Sequence, residues 1–129
     1  NIILFGHSLG SAVMAHVASQ DGARGLILTG APTSISDLVA QISGIPARWI
    51  DSWMHLNLNS ADAIQNYNSP LLVMSGEFDI ITTSGQARSL FDLAQEPKYF
   101  TNIKGIGHDG LSQSTDYEDS IRMFLKSLK

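Results

Sequence analysis

The 129 residues contain no cysteine. That excludes disulfides, thiolate metal sites and a cysteine nucleophile, and leaves the cellular compartment open. Basic clusters are also missing. Eight Lys and Arg stand against twelve Asp and Glu, a net charge of −4, so nothing favours nucleic acid or an anionic membrane as partner. No apolar run approaches the roughly 20 residues that cross a bilayer. Repeats, low-complexity segments and disordered tracts are absent too. Hydrophobic residues make up 43% and charged residues 16%, the composition of an ordinary globular domain. The length suits one domain with a real core and is too short for two.

The stretch Asn1–Gly10 organises the rest. Ile2 to Phe5 is an apolar run suited to a strand buried on both faces. Gly6-His7-Ser8-Leu9-Gly10 follows, and residues 11–20 read as a helix ended by Asp21-Gly22. Strand, Gly-x-Ser-x-Gly, helix is the context of a nucleophile elbow. The chain must reverse sharply, so glycine is expected on both sides of a strained, outward-pointing Ser8. A helix N-terminus there favours developing negative charge.

Further along, Leu26–Thr29 reads as a second buried strand, closed by Gly30-Ala31-Pro32. The spacing implies a parallel pair with a right-handed crossover. Residues 32–68 read as short helices forming a cap-like insertion. Ile35, Leu38, Val39 and Ile42 recur at helical spacing, with Ser36 as N-cap and Gly44 as stop. A helix opened by Pro46 carries Trp49, Trp53 and Leu56 on one face, Asn57 to Asn59 break it, and residues 60–65 make another turn or two. Pro70–Met74 is a third strand, followed by Ser75-Gly-Glu-Phe-Asp79. Thr83-x-x-Gln86 resembles a capping box before a helix striped by Ala87, Leu90, Phe91 and Ala94. Lys98–Ile103 is a fourth strand, then a Gly-rich loop carries His108. Thr115-x-x-Glu118 resembles a second capping box, opening a helix striped by Tyr117, Ile121, Phe124, Leu125 and Leu128. The fold class is α/β: a mostly parallel sheet of about four strands with flanking helices.

Open parallel sheets carry functional loops at the carboxyl ends of their strands. Three such ends hold Ser8, Asp79 and His108, and the order Ser, acid, His is that of the α/β-hydrolases. A serine hydroxyl needs a base, and a neutral imidazole at 108 supplies one near pH 7. A carboxylate at 79 would hold the other ring nitrogen's proton. The Leu9 backbone N–H would be one oxyanion donor.

The pieces Gly-His-Ser-Leu-Gly (6–10), Ser-Pro-Leu-Leu-Val-Met-Ser-Gly-Glu-Phe-Asp (69–79) and Gly-Ile-Gly-His-Asp (105–109) resemble the C-terminal half of an α/β-hydrolase fold serine hydrolase. The segment Ala31–Leu38, with Trp49 and the short helices beyond it, is most similar to a minimal-cap branch of ester and thioester hydrolases, palmitoyl-protein deacylases among them. The resemblance covers essentially the whole chain. It implies a carboxylic ester or thioester substrate, an acyl-serine intermediate, and neither metal nor cofactor. It favours Asp79 over the rival acids Glu77, a solvated or loop-capping residue, and Asp109. His108 is preferred to His7, His16 and His55, which lack its place in a Gly-rich turn. Trp49 and Trp53 suit an acyl pocket or plain packing of a short helix; Met54 and Met74 read as core.

Three positions depart from the family's habit: Ser11 for a second glycine, Ile81-Thr82 for Val-Pro, and Asp109 for Asn. Asn1 falls in mid-strand, so a fragment is expected, lacking about four strands and the second oxyanion donor. Alternatives from other classes are a catalytically incomplete fragment, a binding module derived from a hydrolase, and a peptidase or amidase of the same fold.

Overall fold

A computed structural model describes residues 2–54 and 58–129; the readings of His55, Leu56 and Asn57 lie outside them. Four strands, β1 (Ile3–His7), β2 (Gly25–Thr29), β3 (Leu71–Gly76) and β4 (Lys98–Ile103), form one all-parallel sheet in the order β1-β2-β3-β4. Helices α1 (Leu9–Asp21), α2 (Ile35–Ser43), α3 (Ala47–Trp53), α4 (Ser60–Gln65), α5 (Ser84–Leu93) and α6 (Thr115–Ser127) fill the connections. A single 3₁₀ turn, Leu111–Gln113, precedes α6.

Every residue of β2 and β3 is buried, as continuous apolar runs between covered faces require. Their side chains divide by the two-residue period of a strand. Leu26, Leu28, Leu71 and Val73 face α1, α4 and α5, where Ala15, Ala18, Ala63, Ile64, Ala87 and Leu90 meet them. Ile27, Leu72 and Met74 face α6, whose Phe124 is 1% exposed. Small alanines let the first set of helices lie close, while Phe124, with Tyr117, Ile121 and Leu128 around it, fills the other face.

The run Ile2–Phe5 is not buried on both faces. β1 has β2 as its partner and lies at the sheet edge, leaving Ile3 and Phe5 exposed at 38% and 46%. The helix starts also differ from expectation. Ser34, not Ser36, caps α2, accepting from the Asp37 N–H at 3.0 Å, and Ser36 instead bonds the Asp51 carboxylate. Ser114, not Thr115, caps α6 by accepting from the Asp116 N–H. Thr83 does cap α5, but the Gln86 side-chain oxygen is buried without a partner, so the reciprocal half of the box is not made. Where several hydroxyls lie within two residues, tertiary packing chooses among chemically equal caps. Met74 is core as expected, whereas Met54 is half-buried at the end of α3.

Candidate active site

Because all four strands run the same way, their carboxyl ends share one rim. Ser8 follows β1 directly and Leu9 starts α1, so the reversal falls on one residue. Ser8 takes φ 52° and ψ −124°, the one positive φ outside glycine among the described residues. Such a conformation costs about 1–3 kcal/mol and must be held by its surroundings. The Ser8 N–H donates to the Thr29 carbonyl at 2.9 Å, and the Ser8 carbonyl accepts from the Ser11 N–H at 2.9 Å. The Ser11 hydroxyl lies within reach of the Gly6 and Thr29 carbonyls, at 2.9 and 3.1 Å. The departure at position 11 therefore ties the elbow to its strand and to β2.

The glycines flanking Ser8 are not equivalent. A Cβ on Gly6 would stand 2.6 Å from the Gly10 carbonyl and from Ser11 Cα, so a side chain there is excluded. A Cβ on Gly10 would meet nothing within 4 Å. The expectation that both positions lack room holds for Gly6 alone, since Gly10 opens outward from the first turn of α1. Gly76, which ends β3, is as crowded as Gly6. A Cβ there would lie 2.5 Å from the Ile106 carbonyl, and that close approach brings the His108 loop against the Asp79 loop.

Ser8, Asp79 and His108 converge on this rim. His108 Nε2 is 2.9 Å from Ser8 Oγ, and His108 Nδ1 is 2.7 Å from Asp79 Oδ2. A carboxylate only accepts, so Nδ1 carries the proton and Nε2 accepts from the serine hydroxyl. Asp79 is 4% exposed and has four donors. The N–H groups of Ile81 and Thr82 reach Oδ1 at 2.9 and 2.8 Å, and the Thr82 hydroxyl and His108 reach Oδ2. Burial alone would raise its pKa. The hydrogen bonds from His108 and from the Thr82 amide and hydroxyl, with attraction to the imidazole, outweigh that and hold the carboxyl below its ordinary value.

Thr82 has no functional role in the sequence reading, yet its hydroxyl oxygen lies 2.8 Å from Asp79 Oδ2 and 3.0 Å from His108 Nδ1. It donates to the carboxylate and shares the imidazole N–H. The signal was present as a departure at 81–82, but a departure does not say which atoms a hydroxyl will reach. Of the rival acids, Glu77 accepts from the Gly105 N–H at 2.9 Å, a loop cap, and Asp109 is exposed beside His108 and His7. His7 stands beside the site, its ring 5.2 Å from that of His108 and its Nδ1 2.9 Å from the Thr29 hydroxyl. His16 is on the exposed face of α1.

Leu9 is the first residue of α1, so its N–H precedes the first intrahelical bond and is free of that ladder. Trp49 and Trp53 are 60% and 84% exposed on α3. With Gly44, Ile45, Pro46 and Ile50 they line an apolar hollow of about 400 Å³. Plain packing does not account for them. The hollow beside His108, about 350 Å³, has different walls, among them Phe5, His7, Leu111 and Tyr117.

No protein-family model matches the chain. An uncharacterized protein of Mycobacterium tuberculosis is 30% identical over 128 residues, covering 96% of this chain and 44% of its own length. The chain thus spans less than half of the curated relatives it matches. Among solved structures, the esterase domain of a Rhodothermus marinus protein aligns with TM-score 0.73 and 24% identity, over 98% of this chain and 59% of that one. An esterase from Rhodococcus sp. aligns with TM-score 0.73 and 16% identity, over 100% and 66%. A monoacylglycerol lipase of Paleococcus ferrophilus aligns with TM-score 0.66 and 19% identity, over 98% and 67%. With its parallel sheet, strand order and flanking helices, the chain adopts the α/β-hydrolase fold.

Proposed function

We propose that this chain carries the nucleophile, base and acid of a serine hydrolase that cleaves carboxylic esters or thioesters. The reading rests on one observation: Ser8, His108 and Asp79 lie in a continuous hydrogen-bonded line, 2.9 and 2.7 Å per link. In it, Ser8 Oγ attacks the acyl carbonyl while its proton passes to His108 Nε2. Asp79 stabilises the resulting imidazolium through Nδ1–H without taking the proton. The oxyanion accepts from the Leu9 N–H at the positive end of α1. Collapse breaks the bond to the leaving oxygen or sulfur, which receives the proton from Nε2. Water then repeats the cycle on the acyl-serine, releasing the acid and restoring the hydroxyl.

The esterases and lipase among the structural neighbours agree with this chemistry at the level of fold. The short helices α2 to α4, between β2 and β3, would form the cap-like insertion of residues 32–68 within a single domain. Ser8→Ala in the intact protein is expected to lower turnover of a short p-nitrophenyl ester by about three orders of magnitude or more. Rates like those of the wild type would refute the assignment.

A second reading, that the 129 residues alone are catalytically incomplete, is favoured by the exposed apolar edge of β1, where Ile2 is 68% exposed. Covalent labelling of Ser8 on this chain by a fluorophosphonate probe would argue against it.

A further inference from the structure

His7 is not used by the proposed chemistry, yet it faces the base of that chemistry. One ligand atom from each of His7, His108 and Asp109 lies within 4.8 Å of the other two. The hydrogen bonds around the two imidazoles prepare them as ligands. His108 gives its Nδ1 proton to Asp79, leaving a lone pair on Nε2. The Thr29 hydroxyl lies 3.3 Å from the Gly6 carbonyl, to which it donates. Its oxygen then accepts from His7 Nδ1–H at 2.9 Å, which leaves the lone pair of His7 on Nε2 as well. An oxygen partner on the second ring nitrogen is the usual support of a metal-binding histidine, fixing the tautomer and raising ligand basicity. Asp109, exposed at the same place, adds an anionic oxygen.

We propose that His7, His108 and Asp109 form a site for a borderline transition-metal ion of the zinc class, and that the ion silences the nucleophile. Two imidazoles and one carboxylate are the donor set of three-ligand zinc sites, which keep a fourth position for water. Nitrogen donors disfavour calcium and magnesium. Binding would use the Nε2 lone pair of each ring. That removes the acceptor His108 offers to the Ser8 hydroxyl, because the lone pair that takes the serine proton becomes the metal bond. The ion is therefore an inhibitor rather than a cofactor. Metal binding stands apart from the proposed hydrolysis; only its effect on Ser8 rests on that reading.

The test is calorimetric titration of the untagged chain with ZnCl₂, with CaCl₂ as control, alongside fluorophosphonate labelling of Ser8. One zinc per chain is expected and no calcium. His7→Gln should weaken zinc by about tenfold or more, the scale on which even supporting residues act, and Asp109→Asn should weaken it also. Zinc should suppress labelling of the wild type but not of His7→Gln, each compared with its own labelling in the absence of metal. Circular dichroism checks each variant, and Asp109→Asn at an exposed position serves if His7→Gln fails to fold. No zinc heat, or affinity indifferent to both substitutions, overturns the site. Absence of labelling even without metal would instead favour the reading that the 129 residues alone are catalytically incomplete, while the titration still decides the metal.

Discussion

The rim of the sheet and the insertion beside it are built to different tolerances. On the rim, Asp79 takes four hydrogen bonds, Ser8 is locked into a positive φ, and Gly6 and Gly76 admit no side chain. In α2 and α3, Ile35, Leu38 and Ile50 are buried while Ile42, Trp49 and Trp53 stand in solvent. Within the insertion, α4 is packed into the apolar core through Ala63 and Ile64, whereas α2 and α3 pack mainly on each other. Ser34 pairs with Asn59 inside the insertion, and from α2 the Gln41 amide donates outward to the Ile80 carbonyl at 3.0 Å. Reaction geometry tolerates errors of a fraction of an ångström, so it belongs on parallel strands. The proposed contact with an acyl chain would need less precision, and the exposed side of α2 and α3 could supply it.

The largest blow to the rim should come from Asp79→Asn. An amide at 79 can present N–H where His108 needs an acceptor, which favours the wrong tautomer. Turnover should fall by about 10³- to 10⁴-fold. The same variant tests stability. Because the Asp79 carboxyl is held below its ordinary value, the charged form stabilises the fold. That contribution is complete above the unfolded value of about 4 and disappears as pH falls through the folded one. Wild-type Tm should therefore drop on acidification below about pH 4 more steeply than that of Asp79→Asn. Parallel acid curves would remove the electrostatic account of this carboxylate.

Next in size is Phe124→Ala. Phe124 is 1% exposed and fills the α6 face against Ile27, Leu72 and Met74, so its loss leaves a cavity opposite the site. A destabilisation of about 3–5 kcal/mol is expected by denaturant titration. A value near 1 kcal/mol would mean that α6 collapses onto the sheet and that this face is not rigid.

Legibility followed the same division. Ser8, Asp79 and His108 could be named because sharp turns and buried runs are written in local residue types, and strand order then brings their ends together. Gly10 and the edge position of β1 could not, since both depend on what lies nearby in space. The caps at Ser34 and Ser114 were missed by two residues and one, because Ser36 and Thr115 offer the same hydroxyl chemistry. Thr82 escaped for a related reason: its two partners are 3 and 26 residues away in sequence. In the insertion, helical spacing announced α2 correctly but did not tell that Ile42 would be 68% exposed.

Thr82 offers a smaller perturbation of the rim. Thr82→Val removes the hydroxyl shared by Asp79 Oδ2 and His108 Nδ1 and keeps the backbone N–H. As a positioning residue it should affect kcat, lowered about tenfold, the scale of one net hydrogen bond of 1–1.5 kcal/mol, and leave KM unchanged. Thr82→Ser should restore the rate. Equal losses in both variants would assign Thr82 to packing alone.

The smallest effect is expected where the insertion is most exposed. Trp53, 84% exposed, has little to lose, so Trp53→Ala should shift unfolding free energy by no more than about 0.5 kcal/mol. Ile50, on the same helix and 7% exposed, should cost about 2–5 kcal/mol as Ile50→Ala. If α3 exists to present its tryptophans to an acyl chain, Trp53→Ala should raise KM for a long-chain ester and leave acetyl-ester kinetics untouched. A rise for both esters would mean that the exposed ring acts on the rim through the fold. No change for either would leave the hollow under Trp49 and Trp53 outside the path of the substrate, with binding confined to the walls around His108.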